Sequence, residues 1–183
     1  MADVKITQEN KWAHWLRRAY SHAHCSSDPS TQLGAVLLGK IEDQELAYAW
    51  NSFPGGVRSR QPDSRNLDLE RWTRPLKYQF IEHAERNAIY MAAKMGNKTD
   101  GGTMVCPWAA CADCARGIIQ AGIKKLVVHK QMHEASEGHW GDSIAFGHTM
   151  LAEANVEIIA FDGKINTAPI LLNGQAFDPN ASD

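Results

Sequence analysis

His83, Cys111 and Cys114 are side chains that suit a zinc ion, and Glu85 is a carboxylate two residues from the first of them. Imidazole and thiolate are donors that zinc prefers, and three protein ligands leave the fourth position for water, as in a catalytic centre. Zinc lowers the pKa of such a water to about 7. Glu85 is then spaced to take the water's proton and pass it to a leaving group. The same residues allow two other readings. A Cys-x-x-Cys pair can be redox-active, and Cys106, five residues before Cys111, could close the site as a fourth, structural ligand. Glu85 discriminates, because a closed structural site has no use for a carboxylate beside the metal.

Both halves of this group fall at helix starts. Periodicity predicts a helix over about 82–95, with Ala84, Ala88, Ile89, Ala92 and Ala93 on its buried face and Gly96-Asn97 at its end. A second helix is predicted over about 111–121, stopped by Gly122. Cysteines three apart are neighbours on one helical face. A helix N-terminus stabilises thiolate through its partial positive charge and free N–H groups.

The remaining elements form the frame. Trp12, Trp15, Leu16, Ala19, Tyr20 and Ala23 recur at helical spacing and predict an amphipathic helix over about 8–24, with Thr7 as its candidate cap. The apolar run Gly34-Ala35-Val36-Leu37-Leu38-Gly39 reads as a buried strand. Its hairpin partner is predicted over about 45–50, through a turn near Glu42-Asp43. Further strands are expected over about 103–106, 125–129 and 156–161, and a further helix over about 142–154. Strands alternating with helices indicate an α/β layered fold, and the antiparallel opening hairpin makes its sheet mixed. The stretch from Asn51 to about Thr73 is rich in Gly, Pro, Ser and Arg. It is too long for a simple connector, so it reads as a binding loop or lid, with disorder as the alternative. The tail over about 163–183 is expected to be loosely structured, with Ile170-Leu171-Leu172 able to pack or pair.

A chain of 183 residues is expected to form one domain, 1–183, with a sizeable core. Nineteen Lys and Arg against twenty-one Asp and Glu give a net charge of −2, which supplies no field for a long nucleic acid but permits a local patch for one phosphate. There is no run of about 18 apolar residues to span a membrane, and the polar first ten residues lack a signal-peptide core. Four cysteines, two of them in a metal motif, do not make a disulfide framework, and a reducing cytoplasm fits them best.

His-x-Glu followed by Cys-x-x-Cys is the pattern of zinc nucleobase deaminases. Over longer stretches the chain resembles the deoxycytidylate (dCMP) deaminases of the cytidine deaminase superfamily. The resemblance rests on His83-Ala84-Glu85-Arg86-Asn87-Ala88-Ile89, on Gly117-Ile118-Ile119-Gln120-Ala121-Gly122-Ile123, on Trp50-Asn51-Ser52-Phe53-Pro54, and on the approach from Asp28-Pro29 to Gly34-Ala35. It covers roughly residues 10–160. It implies a three-layer α/β/α cytidine deaminase-like fold with a mixed sheet of about five strands. It implies zinc held by His83, Cys111 and Cys114, Glu85 as proton shuttle, Asn51 on the deoxyribose, and the Ala84 N–H on the pyrimidine carbonyl. The implied reaction is hydrolysis at C4 of cytosine, turning dCMP into dUMP and ammonia and feeding thymidylate synthesis. A homo-oligomer, dCTP and dTTP as effectors, and Mg²⁺ with a nucleotide effector are also allowed by it.

One departure stands out. Where the family has proline before the first cysteine, this chain has Ala110, with Pro107 three residues earlier. A freer loop there would admit a 5-substituted cytosine, unless neighbouring packing holds it. The loop of about 51–78 and its exit supply Arg58, Arg60, Arg65, Arg74 and Lys77 as candidate phosphate contacts, each otherwise a solvated surface cation. Trp108 and His129 are candidate pocket residues, against the bland alternatives of core tryptophan and strand-end histidine. His22, His24 and Cys25 make a poor second metal site, because two histidines two apart on a helix point in different directions. Rival functions are deamination of a free pyrimidine nucleoside or a 5-modified dCMP, and a non-catalytic zinc-stabilised subunit. Editing of tRNA is disfavoured by the mild acidity.

Overall fold

The computed structural model describes residues 4–41, 44–61, 65–135 and 140–181. Its elements in chain order are β1 (Val4–Thr7), α1 (Asn10–Ala23), β2 (Gly34–Leu38), β3 (Glu45–Trp50), α2 (Leu69–Trp72), a 3₁₀ turn (Leu76–Gln79), α3 (Ala84–Met95), β4 (Thr103–Val105), α4 (Ala112–Gln120), β5 (Lys125–His129), α5 (Lys130–Glu134), α6 (Gly141–Glu153), β6 (Glu157–Phe161), β7 (Ile170–Leu172) and β8 (Gln175–Phe177). Six strands make one mixed sheet in the order β1-β6-β5-β4-β2-β3. β1, β6, β5 and β4 run parallel to one another, while β2 is antiparallel to both β4 and β3.

The apolar runs become the middle of this sheet because they can be covered on both faces. Every residue of β2 is buried, and both α1 and α3 pack against it. With α4 against α3 and α6 against α4, the layers are helix, sheet, helix. The close fit of α1 depends on Gly34, where a Cβ would lie 2.1 Å from the Ala19 carbonyl oxygen. The end of α3 is set by Gly96, which takes a left-handed backbone (φ 74°) and donates its N–H to the carbonyls of the last turn.

The sheet has six strands rather than about five. The added one, β1, pairs parallel with β6 in the register Val4–Ile158 to Thr7–Phe161. It is a four-residue edge strand whose burial does not follow the apolar–polar alternation of Val4-Lys5-Ile6-Thr7, since Lys5 and Ile6 are both exposed. Thr7 does not cap α1. Its Oγ1 accepts the Glu9 N–H at 3.3 Å, and Glu9 is the N-cap. The turn expected at Glu42-Asp43 lies outside the described residues. The tail is more ordered than expected, since Ile170–Leu172 pairs antiparallel with Gln175–Phe177. Among the described residues no helix is long and apolar enough to cross a membrane.

The stretch after Asn51 folds around a small cluster of its own, formed by Phe53, Trp72 and Ile81 with Leu67, Tyr78 and Phe80 against it. Phe53 stacks on Trp72 at 4.2 Å between ring centroids, and such a pair adds about 0.5–1.5 kcal/mol beyond its buried area. The Trp72 indole donates to the Ser59 carbonyl at 2.9 Å. Ser52 and Glu82 exchange backbone hydrogen bonds and tie the two ends of the stretch together. This brings its inner face to the N-terminus of α3.

Candidate active site

α3 and α4 pack against each other, and their first turns meet. His83 and Cys111 are the N-caps of the two helices, each with extended backbone, and Cys114 lies in the first turn of α4. The His83 Nδ1 lies 3.6 Å from Cys111 Sγ and 3.4 Å from Cys114 Sγ, and the three donor atoms fall within 4.8 Å of one another. Tetrahedral zinc with bonds of about 2.3 Å to sulfur and 2.05 Å to nitrogen needs N···S edges of roughly 3.5 Å. The spacing and the donor chemistry therefore both fit zinc. Cys106 is buried but does not belong to this group, so among the described residues no fourth ligand closes it.

Electrostatics favour a cation here. A hydrogen bond from the Cys114 thiol, followed by the neighbouring His83, holds the Cys111 thiol down at about 3 against the effect of burial. Burial pushes the Cys114 thiol up. Burial alone would lower His83, but the Cys111 and Glu85 charges beside it outweigh that and raise it. Arg86 on α3 stands 3.8 Å from Cys114 Sγ through Nη1 and donates through Nε to Glu82 Oε2 at 2.7 Å.

Glu85, in the first turn of α3, is 3% exposed, and its Oε2 has no hydrogen-bond partner among the described residues. Burial raises its carboxyl above the usual range, while His83 pulls the other way. A buried polar atom left unpaired costs about 1–3 kcal/mol. A buried carboxyl two residues from a metal-donor histidine, with an unpaired oxygen and lining the same cavity, has the chemistry of a proton carrier.

His83, Glu85 and Cys111 line a cavity. Trp108, Ala109, Trp140 and Ile144 wall the same space, and Trp140 meets the His83 ring edge-on at 5.4 Å. A second, polar group shares the lining. It comprises Asp28, Thr31, Asn51, Lys77, Arg74 and Tyr78. Asn51 is 4% exposed and donates to Asp28 Oδ2 at 3.1 Å and to the Thr31 carbonyl at 2.7 Å, while its Oδ1 accepts the Leu33 N–H at 2.8 Å. Lys77 Nζ lies 2.6 Å from Asp28 Oδ2, and both side chains are buried. Removing one partner of such a pair leaves an uncompensated buried charge, at a cost of about 3–5 kcal/mol.

The sequence-derived candidates divide clearly. His83, Glu85, Cys111, Asn51, Trp108, Arg74 and Lys77 come together at the cavity. Ala84 is buried between His83 and Glu85, and its N–H is one of the first-turn donors that α3 cannot satisfy itself. Arg58 and Arg60 do not line the cavity. Arg58 pairs with Asp68 of the same loop at 3.0 Å, and the Arg60 guanidinium donates to the Arg65 carbonyl. His129 does not line it either. It is 2% exposed and bridges Tyr20 Oη at 2.8 Å and the Gly163 carbonyl at 3.1 Å, a structural strand-end histidine. Ala110 is fully buried outside the cavity lining, and α6 packs over it. A Cβ on Gly147 would lie 2.6 Å from the Ala110 oxygen, and Ser143 Oγ accepts the Ala112 N–H at 3.1 Å. Neighbouring packing thus holds the loop where proline is missing.

Sequence reasoning missed Trp140, Ile144 and the Asp28 carboxylate as wall residues. Only Asp28 had a signal, as part of the Asp28-Pro29 approach to the first strand. Trp140 and Ile144 reach the site through the docking of α6 on α4.

Residues 7–130 match the family model for the cytidine and deoxycytidylate deaminase zinc-binding region. An uncharacterised deaminase of the luxG 3′ region in Aliivibrio fischeri is 32% identical over 148 residues, covering 79% of this chain and 91% of that protein. The deoxycytidylate deaminase of Mus musculus is 29% identical over 147 residues, covering 75% of this chain and 76% of its own. Among solved structures, the apo dCMP deaminase of cyanophage S-TIM5 aligns with a TM-score of 0.61 at 24% identity, over 84% of this chain and 99% of that one, which shows a shared fold.

Proposed function

This chain belongs to the cytidine and deoxycytidylate deaminase zinc-binding family, and on that premise we propose that it hydrolyses dCMP to dUMP and ammonia. The single observation that carries the reading is Glu85, buried with an unpaired oxygen beside the His83, Cys111 and Cys114 donors and opening on the same cavity. A structural metal site has no place for that carboxylate.

His83, Cys111 and Cys114 would hold zinc, which when bound supplies a Lewis acid that makes hydroxide available near neutral pH. Glu85 moves the protons. It accepts one from the water that adds to C4, delivers it to ring N3, and serves again as the C4 amino group leaves as ammonia. Water and dCMP thus give dUMP and ammonia with atoms balanced. The Ala84 N–H orients the pyrimidine carbonyl. Trp108 and Trp140 confine the ring and exclude bulk water. Arg74, exposed at the rim and hydrogen-bonded to Asn173 Oδ1 at 3.0 Å, offers its remaining N–H groups to the 5′-phosphate. The same family premise supports a single deaminase domain over 1–183, a homo-oligomer, a cytoplasmic location, and dCTP or dTTP as effectors accompanied by Mg²⁺.

The test is a substrate panel of dCMP, CMP, dCTP, deoxycytidine and 5-methyl-dCMP, read by ammonia release from the zinc-loaded protein. The expected result is that dCMP is used best. Equal turnover of deoxycytidine would make the protein a nucleoside deaminase. No ammonia from any compound would make it a non-catalytic member of its family.

A further inference from the structure

The chain after residue 130 lies outside the matched family region, yet its last hairpin reaches the cavity. β7 and β8 are joined by Asn173-Gly174, both with left-handed backbone (φ 52° and 80°). Two such residues between paired strands are the pattern of a type I′ turn. The hairpin is anchored by Ile170, which is buried, and by Leu172 and Phe177, which pack against the main core. It is also bonded to the loop that carries Thr31. The Gln32 N–H donates to the Leu171 carbonyl at 2.8 Å, the Gly174 N–H to the Ser30 carbonyl at 2.7 Å, and the Asn173 N–H to Thr31 Oγ1 at 3.3 Å.

The tip of this anchored hairpin holds a cavity residue from a third segment. Asn173 Oδ1 accepts a hydrogen bond from Arg74 Nη2 at 3.0 Å, and the Arg74 guanidinium lies 5.8 Å from the centroid of the Tyr78 ring. Arg74 and Tyr78 line the cavity and Asn173 does not. A long exposed side chain loses rotamer freedom when a ligand takes hold of its head, and a guanidinium already held in place has less to lose. The acceptor matters as well. An amide oxygen takes one N–H and leaves the charge and the rest of the guanidinium fork available. A carboxylate there would compete with an anionic ligand, as Asp68 does for Arg58. We propose that Asn173 is a positioning residue that holds the Arg74 guanidinium ready for the 5′-phosphate, so that the C-terminal hairpin is part of the substrate site. This deepens the dCMP reading and rests on it.

The experiment measures kcat and KM for dCMP and for deoxycytidine on the zinc-loaded wild type, Asn173→Gly, Arg74→Ala and the double variant. Glycine suits the φ of 52° at this turn, so Asn173→Gly removes the amide and keeps the hairpin. The ratio of kcat/KM for dCMP to that for deoxycytidine should fall about 3- to 10-fold in Asn173→Gly, the effect of leaving one rotamer-rich side chain for the ligand to order. The loss should lie in KM for dCMP, with deoxycytidine unaffected. In the Arg74→Ala background the same substitution should change nothing, because the two residues act as a unit. A wild type that uses deoxycytidine as well as dCMP overturns the nucleotide reading, and the role of Asn173 with it. With dCMP preferred by the wild type, an unchanged ratio in Asn173→Gly overturns the role of Asn173 alone. So does an equal loss on both substrates, which would make the hairpin a structural support only. A full effect of Asn173→Gly in the Arg74→Ala background overturns it too, because the amide would then act without Arg74.

Discussion

The Nη1 of Arg86 stands 3.8 Å from the sulfur of Cys114, one helical turn along from the Glu82 carboxylate that holds its Nε at 2.7 Å. A cation beside the cysteine sulfurs offsets part of the negative charge they would carry with zinc bound, and fixes the Cys114 sulfur in place. Removing such an outer partner typically lowers metal affinity by about 10- to 100-fold. Arg86→Met should therefore weaken zinc retention by that order, measured by competition with a chromophoric chelator. Unchanged affinity would mean that the contact is incidental.

Glu85→Gln should keep zinc and the fold while losing turnover. The amide preserves shape but cannot take a proton. General acid–base catalysis contributes about 10²–10⁴-fold, and a group serving two transfers belongs at the upper end. Elemental analysis should find zinc at the parental level alongside this loss. Activity within about threefold of the parent, far below that range, would assign the proton to another group.

Arg74→Ala should narrow the advantage of dCMP over deoxycytidine, because Arg74 borders the cavity. Arg58→Ala should leave that ratio unchanged, because its guanidinium is spent on Asp68. Steady-state kinetics on both substrates read the two variants side by side. Equal effects would show that the loop as a whole, rather than Arg74, holds the phosphate.

Gly147→Ala should lower the melting temperature. The new Cβ would meet the Ala110 carbonyl oxygen at 2.6 Å and Cys111 backbone atoms at 3.2 Å and beyond, so α6 must move off the cysteine turn. Overpacking of this kind costs about 1–3 kcal/mol. Thermal unfolding with and without added zinc should show the loss in both states. No change in either would mean that α6 has room to shift.

Stability should fall with acidity through a pair of histidines away from the site. His133 on α5 and His148 on α6 stack at 5.1 Å between ring centroids. Burial, with the neighbouring His148 charge, holds His133 down at about 4, and burial lowers His148 as well. The unfolded chain takes up these protons near 6.5 and the folded chain does not. Their contribution is therefore present above about pH 6.5 and is lost as pH falls from there toward 4. His133→Gln should flatten the dependence of unfolding midpoint on pH in that window, measured by denaturant titration. An unaltered slope would exclude His133 as its source.

The sequence by itself determined the grouping of His83, Glu85, Cys111 and Cys114 and most of the fold, because those signals are local. His83 and Glu85 are separated by less than a helical turn, as are Cys111 and Cys114, so helix starts at α3 and α4 place each pair without knowledge of the rest. Gly96 ends α3 through its own backbone freedom, and the apolar run of β2 can only be a buried strand. Tertiary structure decided what depends on partners distant in the chain. Arg58, Arg60, Arg74 and Lys77 are alike in sequence, but a basic side chain in a loop points where packing sends it: Arg74 and Lys77 line the cavity, while Arg58 pairs with Asp68 and Arg60 with the Arg65 carbonyl. His129 looked like a pocket residue and is held instead by Tyr20 and Gly163. β1 has too little apolar surface to announce itself and exists as a strand through its pairing with β6, some 150 residues later. Whether Cys106 joined the metal donors was a question of distance in space: it directly follows β4, four residues of irregular chain separate it from Cys111, and it does not belong to the group. Local spacing fixes geometry within about one helical turn; beyond that, the direction of a side chain is set by the long-range contacts that bury its neighbours.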